Sequence, residues 1–266
     1  MSWMAALSAL FAWWFSTGAI LLIVRRADRR GGEAHLMAVL AGVPVLALGV
    51  AAVASSLATE TVAGVYLGFL GALAIWGWIE LAFLAGVIAG PNRETCPGGL
   101  TLTDRFLRGF QAVAHHEILL LAGLAGLLVA SSGAPNRMAL ATYLILFVAR
   151  ITAKLNLFLG VPRINTEFVP DRLTHLKSHF RQAPPTLAFP VAITVLTVLL
   201  AVCAERLWFA QSEVTATGYA LLSALTALAL LEHWLMVVPL PDAKLWRWML
   251  PAPPQDTKTE GKTHGF

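Results

Sequence analysis

The sequence predicts an all-α, polytopic membrane protein with about seven transmembrane helices. Of its 266 residues, 58% are hydrophobic and only 13% are charged, whereas soluble domains carry roughly 25% charged residues. The apolar residues are gathered in long runs, each close to or above the ~20 residues that a helix needs to cross a bilayer. The net charge of +4 is spread over short segments between these runs. We therefore expect a lipid bilayer as the partner and no nucleic acid.

The seven spans are separated by short connections on one side of the membrane and longer ones on the other. The first span has no positive residue before it and arginines after it, so we do not expect it to be a cleavable signal peptide. The third is long and is expected to tilt or to project beyond the lipid. In chain order the predicted spans are Trp3–Val24, Leu36–Ala58, Val62–Ala89, Phe106–Val129, Met138–Leu159, Phe189–Trp208 and Ala216–Val238.

Lys and Arg residues orient the chain, because cytoplasmic loops carry the excess of positive charge. One side holds four of them after the first span, three around the third connection, four after the fifth span and four in the tail. The other side holds only Arg137 and Arg206. This distribution predicts that the N-terminus lies outside and the C-terminus in the cytoplasm. It also places Cys96 on the cytoplasmic side and Cys203 in the outer part of span six, so we expect no disulfide.

The chain is interpreted as one helical bundle over residues 1–250, followed by a Pro-rich polar tail, 251–266, that is expected to be disordered. The long cytoplasmic connection after span five contains Leu173, Leu176 and Phe180, which share one helical face. This pattern favours a short interfacial helix with its apolar side in the headgroup layer. An ordinary polar loop is the alternative interpretation.

Ionisable residues interrupt four of the predicted spans. Such groups are costly at membrane depth and by default mark a functional site. With a rise of about 1.5 Å per residue, they fall in the cytoplasmic half of the bilayer, and we expect them to form one shared site. Asn156, near the inner end of span five, either belongs to this pocket or packs at the boundary. The candidate ligand-binding residues are Glu80, His116, Glu117, Arg150, Lys154, Asn156, Glu232 and His233.

Three interpretations of this cluster remain open, with proton or ion transport as a lesser alternative. The first is a buried ion network that only holds helices together, because buried charges need pairing. The second is a zinc or non-haem iron site. The spacing does not favour it, because His116-Glu117 and Glu232-His233 are adjacent pairs, not the Glu-x-x-His pattern of bundle di-iron proteins. The candidate metal ligands would be Glu80, His116, Glu117, Glu232 and His233.

The third interpretation is a pocket for a pigment or another ligand. The imidazoles of His116 and His233 would serve as axial ligands to the metal of a chlorin or haem. Arg150 and Lys154, four residues apart on one helical face, would pair with carboxylate groups. Trp76 lies one turn before Glu80 and adds an aromatic face near the cluster.

Several segments carry a family resemblance. They are Arg150-Ile-Thr-Ala-Lys154-Leu-Asn156-Leu-Phe-Leu-Gly160-Val-Pro162, Glu80-Leu-Ala-Phe-Leu, Gly90-Pro-Asn-Arg93 with Cys96-Pro97, His115-His116-Glu117, and Glu232-His233-Trp234 followed by Pro239-Leu-Pro241. Together they run from span three to the end of span seven. They resemble the PuhE-like family, photosynthetic complex assembly protein 2 of purple phototrophic bacteria.

The resemblance implies a membrane factor that supports assembly of the reaction centre and core antenna, or regulates the supply of bacteriochlorophyll. Its partners would be reaction-centre or core-antenna subunits or enzymes of pigment synthesis, and its ligand bacteriochlorophyll or a precursor. The alternative is a membrane metalloenzyme that uses non-haem iron or zinc on an apolar substrate. Whether the chain is an enzyme stays open at this point.

Overall fold

A computed structural model describes residues 2–239 of the chain. Among these residues the regular structure is helical, and β-pairing is limited to one isolated bridge between Val161 and Gln182. The α-helices are α1 (Ser2–Arg30), α2 (Ala34–Ala41), α3 (Val43–Ser56), α4 (Val62–Leu84), α5 (Leu102–Ala130), α6 (Met138–Leu159), α7 (Ala188–Trp208) and α8 (Glu213–Leu235). Two 3₁₀ helices, Thr166–Phe168 and Asp171–His179, lie in the connection between α6 and α7.

The prediction of seven spans is confirmed, because seven helical stretches are long and apolar enough to cross a membrane. Helix α6 has the predicted bounds, and α7 begins one residue earlier than predicted. Helices α1 and α5 are longer than their apolar runs, since charged residues extend them: α1 continues through Arg30, and α5 begins at Leu102 after a Thr101 cap. The protein is therefore a multi-span membrane protein.

The second predicted span is divided into α2 and α3 by a break at Gly42. Pro44 lies at the start of α3 and has no N–H to continue the hydrogen-bond ladder of α2. The amide of Gly42 closes α2 on the carbonyl of Ala38, and the carbonyl of Gly42 starts α3 by accepting from Leu46. The two short helices together still have the length of one span.

Helix α4 is the most buried of the spanning helices and forms the centre of the bundle. Glycines allow its close contact with α3. A Cβ atom on Gly71 would lie 2.8 Å from the carbonyl oxygen of Gly49, and one on Gly49 would lie 2.9 Å from the Cβ of Ala74. Small residues permit this approach of two helix backbones in a membrane bundle. On its other faces α4 packs against α6 and α8 around Phe69, Leu73 and Trp76.

Helix α4 ends five residues before the predicted end of span three, and this prediction was wrong. Gly86 has φ +70°, a conformation in which the helix cannot continue. The chain then turns and packs against α5 so closely that a Cβ on Gly90 would lie 2.1 Å from the carbonyl oxygen of Gln111. Glu80 consequently lies one turn from the end of its helix, and the turn that follows is part of the packed structure.

The predicted interfacial helix was wrong in its placement. Residues Asp171–His179 are helical, but the helix is of the 3₁₀ type and its apolar residues do not face the headgroup layer. Leu173 and Leu176 are buried with Phe83, Ala89 and Ala112. The segment therefore closes the basic side of the bundle, which we define as the side carrying the arginine-rich connections. The predicted tail, 251–266, lies outside the described residues.

Candidate functional site

Helices α4, α5 and α6 bring five of the predicted site residues together. The Arg150 Nη2 donates to Glu80 Oε2 at 2.7 Å, and the other carboxylate oxygen of Glu80 lies 3.5 Å from His116 Nε2. On the opposite side of the imidazole, Lys154 donates to His116 Nδ1 at 2.8 Å and also to the carboxylate of Glu117. We call this set the ion network: Glu80, His116, Glu117, Arg150 and Lys154.

The two ring nitrogens of His116 have different surroundings. Its Nδ1 faces the Lys154 ammonium, which can only donate, whereas its Nε2 faces Glu80 Oε1 at 3.5 Å without a hydrogen bond in the described part of the chain. The imidazole is completely buried, and Phe83 packs against it with ring centroids 4.2 Å apart and ring planes tilted by 34°. The same Phe83 ring lies 5.3 Å from the Lys154 ammonium. His116 thus connects two oppositely charged pairs within the protein interior.

The two predicted site residues on α8, Glu232 and His233, have different surroundings. His233 is buried, its Nδ1–H donates to the carbonyl of Ala229, and its Nε2 lies 2.9 Å from the Thr152 hydroxyl. Both nitrogens of this ring are therefore occupied. Glu232 points the other way, its side chain is exposed, and no hydrogen bond or ion pair joins its carboxylate to any residue in 2–239. The charged group that interacts electrostatically with the Glu232 carboxylate is Arg150.

A cavity of about 780 Å³ lies beside the ion network, between α1, α5, α6 and α8 and above the connection 160–188. Glu117, Arg150, Lys154 and Glu232 line it at one end, whereas Glu80, His116, Asn156 and His233 do not line it. Most of its wall is apolar, with Phe106, Phe110, Phe147, Phe158, Phe168 and Phe180 among the aromatic members. Its size is within the range of about 300–1,000 Å³ usual for small-molecule sites.

The wall of the cavity is incomplete at bilayer depth. Leu121 on α5, Leu155 on α6 and Leu231 on α8 line the cavity and yet are 53%, 38% and 49% exposed. All three belong to spanning helices. The cavity is therefore open at these three positions, which face the hydrocarbon of the bilayer because they lie on spanning helices. Its charged residues Glu117, Lys154 and Glu232 lie within one turn of this opening.

The comparisons with known proteins agree with each other. A family model described as a protein of unknown function, DUF3623, matches residues 1–257. The chain belongs to this family. It is also 52% identical over 250 residues to an uncharacterized 30.4 kDa protein in the puhA 5′ region of Rhodobacter capsulatus, an alignment that covers 94% of this chain and 91% of that protein. No solved structure matches the chain.

In this DUF3623 protein, Asn156 lies apart from the cavity. It is completely buried on α6, and neither its amide nitrogen nor its oxygen makes a hydrogen bond in the described part of the chain. The side chain belongs to the packed interior near the end of α6, where its backbone carbonyl accepts from Gly160.

The metal interpretation finds no geometric support within residues 2–239, because no three His, Cys, Asp or Glu side chains converge on one point there. Glu80 and Glu117 face Arg150 and Lys154, so their charge is already balanced by cations. A divalent ion at this place would have to compete with two bound cations.

Sequence reasoning missed His179. This residue lies in the 3₁₀ helix Asp171–His179, lines the cavity, and is only 4% exposed. Neither of its ring nitrogens has a hydrogen-bond partner within residues 2–239. The sequence predicts a short interfacial helix or a polar loop for this segment, so the one available signal was the four-residue spacing of His175 and His179.

Proposed function

We propose that this protein is an inner-membrane factor that binds a pigment or pigment precursor and so supports assembly of the photosynthetic reaction centre and core antenna. Two observations support a role in photosynthetic assembly. The sequence motifs resemble the PuhE-like assembly family, and the relative from Rhodobacter capsulatus is named for its position in the puhA 5′ region. The cavity supports the chemistry.

The observation that carries the proposal is the shape and lining of the cavity. It combines a long apolar, aromatic wall with a charged end formed by Glu117, Arg150, Lys154 and Glu232. An amphiphile with a large apolar body and a polar edge matches both parts. The opening at Leu121, Leu155 and Leu231 allows such a molecule to enter from the bilayer and to leave an apolar tail in the lipid.

The charged end offers specific groups for the polar edge of the ligand. Arg150 uses one guanidinium nitrogen for Glu80, while its Nε has no acceptor among the described residues. Its side chain is 32% exposed and that of Lys154 is 22% exposed. These cations would bind a carboxylate, and Glu232 would accept from a donor group. A network that only held helices together would not need an unpaired carboxylate at its edge.

The test is to purify the protein in mild detergent from a bacteriochlorophyll-making host and to record its absorption spectrum. The proposal expects chlorin or porphyrin bands at near-stoichiometric level. A preparation that shows protein absorbance alone would contradict pigment binding.

A pair of variants on α5 separates cavity binding from binding at the lipid-facing surface. Val113 lines the cavity, whereas Ile118 does not and is 59% exposed. Val113→Trp places an indole ring in the cavity, and we expect it to weaken the pigment bands and to lower the core-antenna absorbance of a strain carrying it. Ile118→Trp should leave both unchanged. Equal pigment content in the two variants would place the pigment outside the cavity.

A further inference from the structure

His179 is a buried titratable group that the ion network does not use. Its imidazole lies in the wall of the same cavity, beside Gly109, where an added Cβ would lie 3.6 Å from the ring Nδ1, an ordinary van der Waals contact. Burial of a polar group without a hydrogen bond costs on the order of 1–3 kcal/mol. A ring with two unpartnered nitrogens in an aromatic cavity therefore indicates a ligand that supplies the missing interaction.

The surroundings keep this ring neutral. Burial lowers the pKa of His179 below its ordinary value of 6.5, and the nearby guanidinium groups of Arg105 and Arg108 lower it further. The backbone of Glu94 approaches the ring and has the opposite effect, although it does not meet hydrogen-bond geometry. A neutral imidazole keeps one nitrogen lone pair, which is the form that binds a metal. Metal-binding histidines commonly direct the other N–H at a backbone carbonyl.

The position of His179 relative to the charged end is also suitable. Arg105 donates to the carbonyls of both Phe158 and His179, so His179 lies at the level of Phe158 on α6. Phe158 is four residues beyond Lys154 and eight beyond Arg150, which corresponds to about 6 and 12 Å along the helix. A flat macrocycle whose central metal faced His179 could direct a carboxylate on its edge towards these cations. Phe106 and Phe158, which meet edge to face with centroids 5.7 Å apart, provide aromatic walls beside it.

We infer that His179 is the axial ligand for the central metal of a metallotetrapyrrole bound in this cavity. The inference deepens the proposed function and rests on it. It assigns to His179 the axial role that the sequence predicted for His116 and His233. Those two rings do not line the cavity, and Lys154, Glu80, Thr152 and Ala229 already face their nitrogens.

The experiment uses the purified full-length protein and two probes, zinc protoporphyrin IX and metal-free protoporphyrin IX. Both carry carboxylates, but only the first has a metal that an imidazole can bind. For the unaltered protein we expect saturable binding of both probes and a shift of the main zinc-porphyrin band. In His179→Gln the band shift should be lost. The affinity for the zinc probe should fall roughly tenfold or more, because the loss of one good polar contact has about this effect on a dissociation constant. The affinity for the metal-free probe should stay unchanged.

Matched controls make each outcome decisive. His175→Gln removes a histidine one turn away that does not line the cavity, and it should behave as the unaltered protein. In His179→Gly, added imidazole should restore the band shift. If His179→Gln binds the zinc probe with an unchanged band, the axial role is overturned while pigment binding stands. If the unaltered protein binds neither probe, the proposed function itself fails.

Discussion

The pair Glu80–Arg150 holds opposite charges at membrane depth, and each depends on the other. Removing one partner of a buried pair leaves an uncompensated charge, which typically costs about 3–5 kcal/mol. Since Arg150 is partly exposed to the cavity, we expect Glu80→Gln to destabilise the protein by an amount near the lower end of that range. Thermal unfolding in detergent measures the loss.

A double-mutant cycle provides the control for this prediction. The variant Glu80→Gln/Arg150→Met removes both charges and should recover most of the stability lost by either single change. Strictly additive losses would show that the two side chains do not act as a pair. Pigment content would still fall in the double variant, because Arg150 also lines the cavity.

Replacing the carboxylate of Glu232 should have little effect on stability, in contrast to replacing that of Glu80. It faces the cavity without a partner in residues 2–239, so Glu232→Gln removes no hydrogen bond of the folded protein. We expect the free energy of unfolding to stay within about 0.5 kcal/mol of that of the unaltered protein, so the unfolding temperature should hardly change. The affinity for the pigment probe should change. A large loss of stability would instead make Glu232 part of the structural ion network. Parallel melting curves and probe titrations of Glu80→Gln and Glu232→Gln decide this.

At the scale of elements, the turn after α4 depends on one glycine. A Cβ on Gly90 would overlap the backbone of Gln111 and Ala112 on α5. Gly90→Ala should therefore push this turn away from α5 and cost about 1–3 kcal/mol, the usual effect of overpacking. Gly98→Ala, in the same connection, is the matched control, because no atom lies within 4 Å of the Cβ it adds. Equal melting temperatures for both variants would contradict this packing.

The 3₁₀ helix Asp171–His179 should loosen in acid. Burial lowers the pKa of both His175 and His179 below 6.5, and Arg93, Arg105 and Arg108 add to the effect. The opened segment then binds protons more readily than the closed one. The closed, packed form of the segment is therefore fully stable above about pH 6.5, and its stability falls as the pH drops below that value. Hydrogen exchange of residues 171–180 should be faster at about pH 5.5 than at about pH 7.5. A His175→Gln/His179→Gln variant should lose this pH dependence.

The elements also show where sequence reasoning succeeded and failed. Hydropathy and length identified all seven spans, because the bilayer imposes a strict length on each. The break at Gly42 and the end of α4 at Leu84 were missed, since apolar residues continue through both positions. The cost of charges at membrane depth indicated the ion network. The same argument could not indicate His179. This residue lies in a connection between two spans, and only the folded structure shows that tertiary packing buries it.

On the scale of the whole molecule, the remaining prediction is orientation. The arginine-rich connections predict that the basic side, which includes His179, lies in the cytoplasm. The native cysteines test this, because Cys96 is partly exposed in a basic connection and Cys203 is buried in α7. A membrane-impermeant maleimide should label Cys96 in inverted vesicles and not in intact spheroplasts. The variant Cys96→Ser/Ser132→Cys, with its thiol at the opposite end of α5, should give the reverse pattern. Labelling of Cys96 from outside would overturn this orientation and would place the arginine-rich connections outside the cytoplasm.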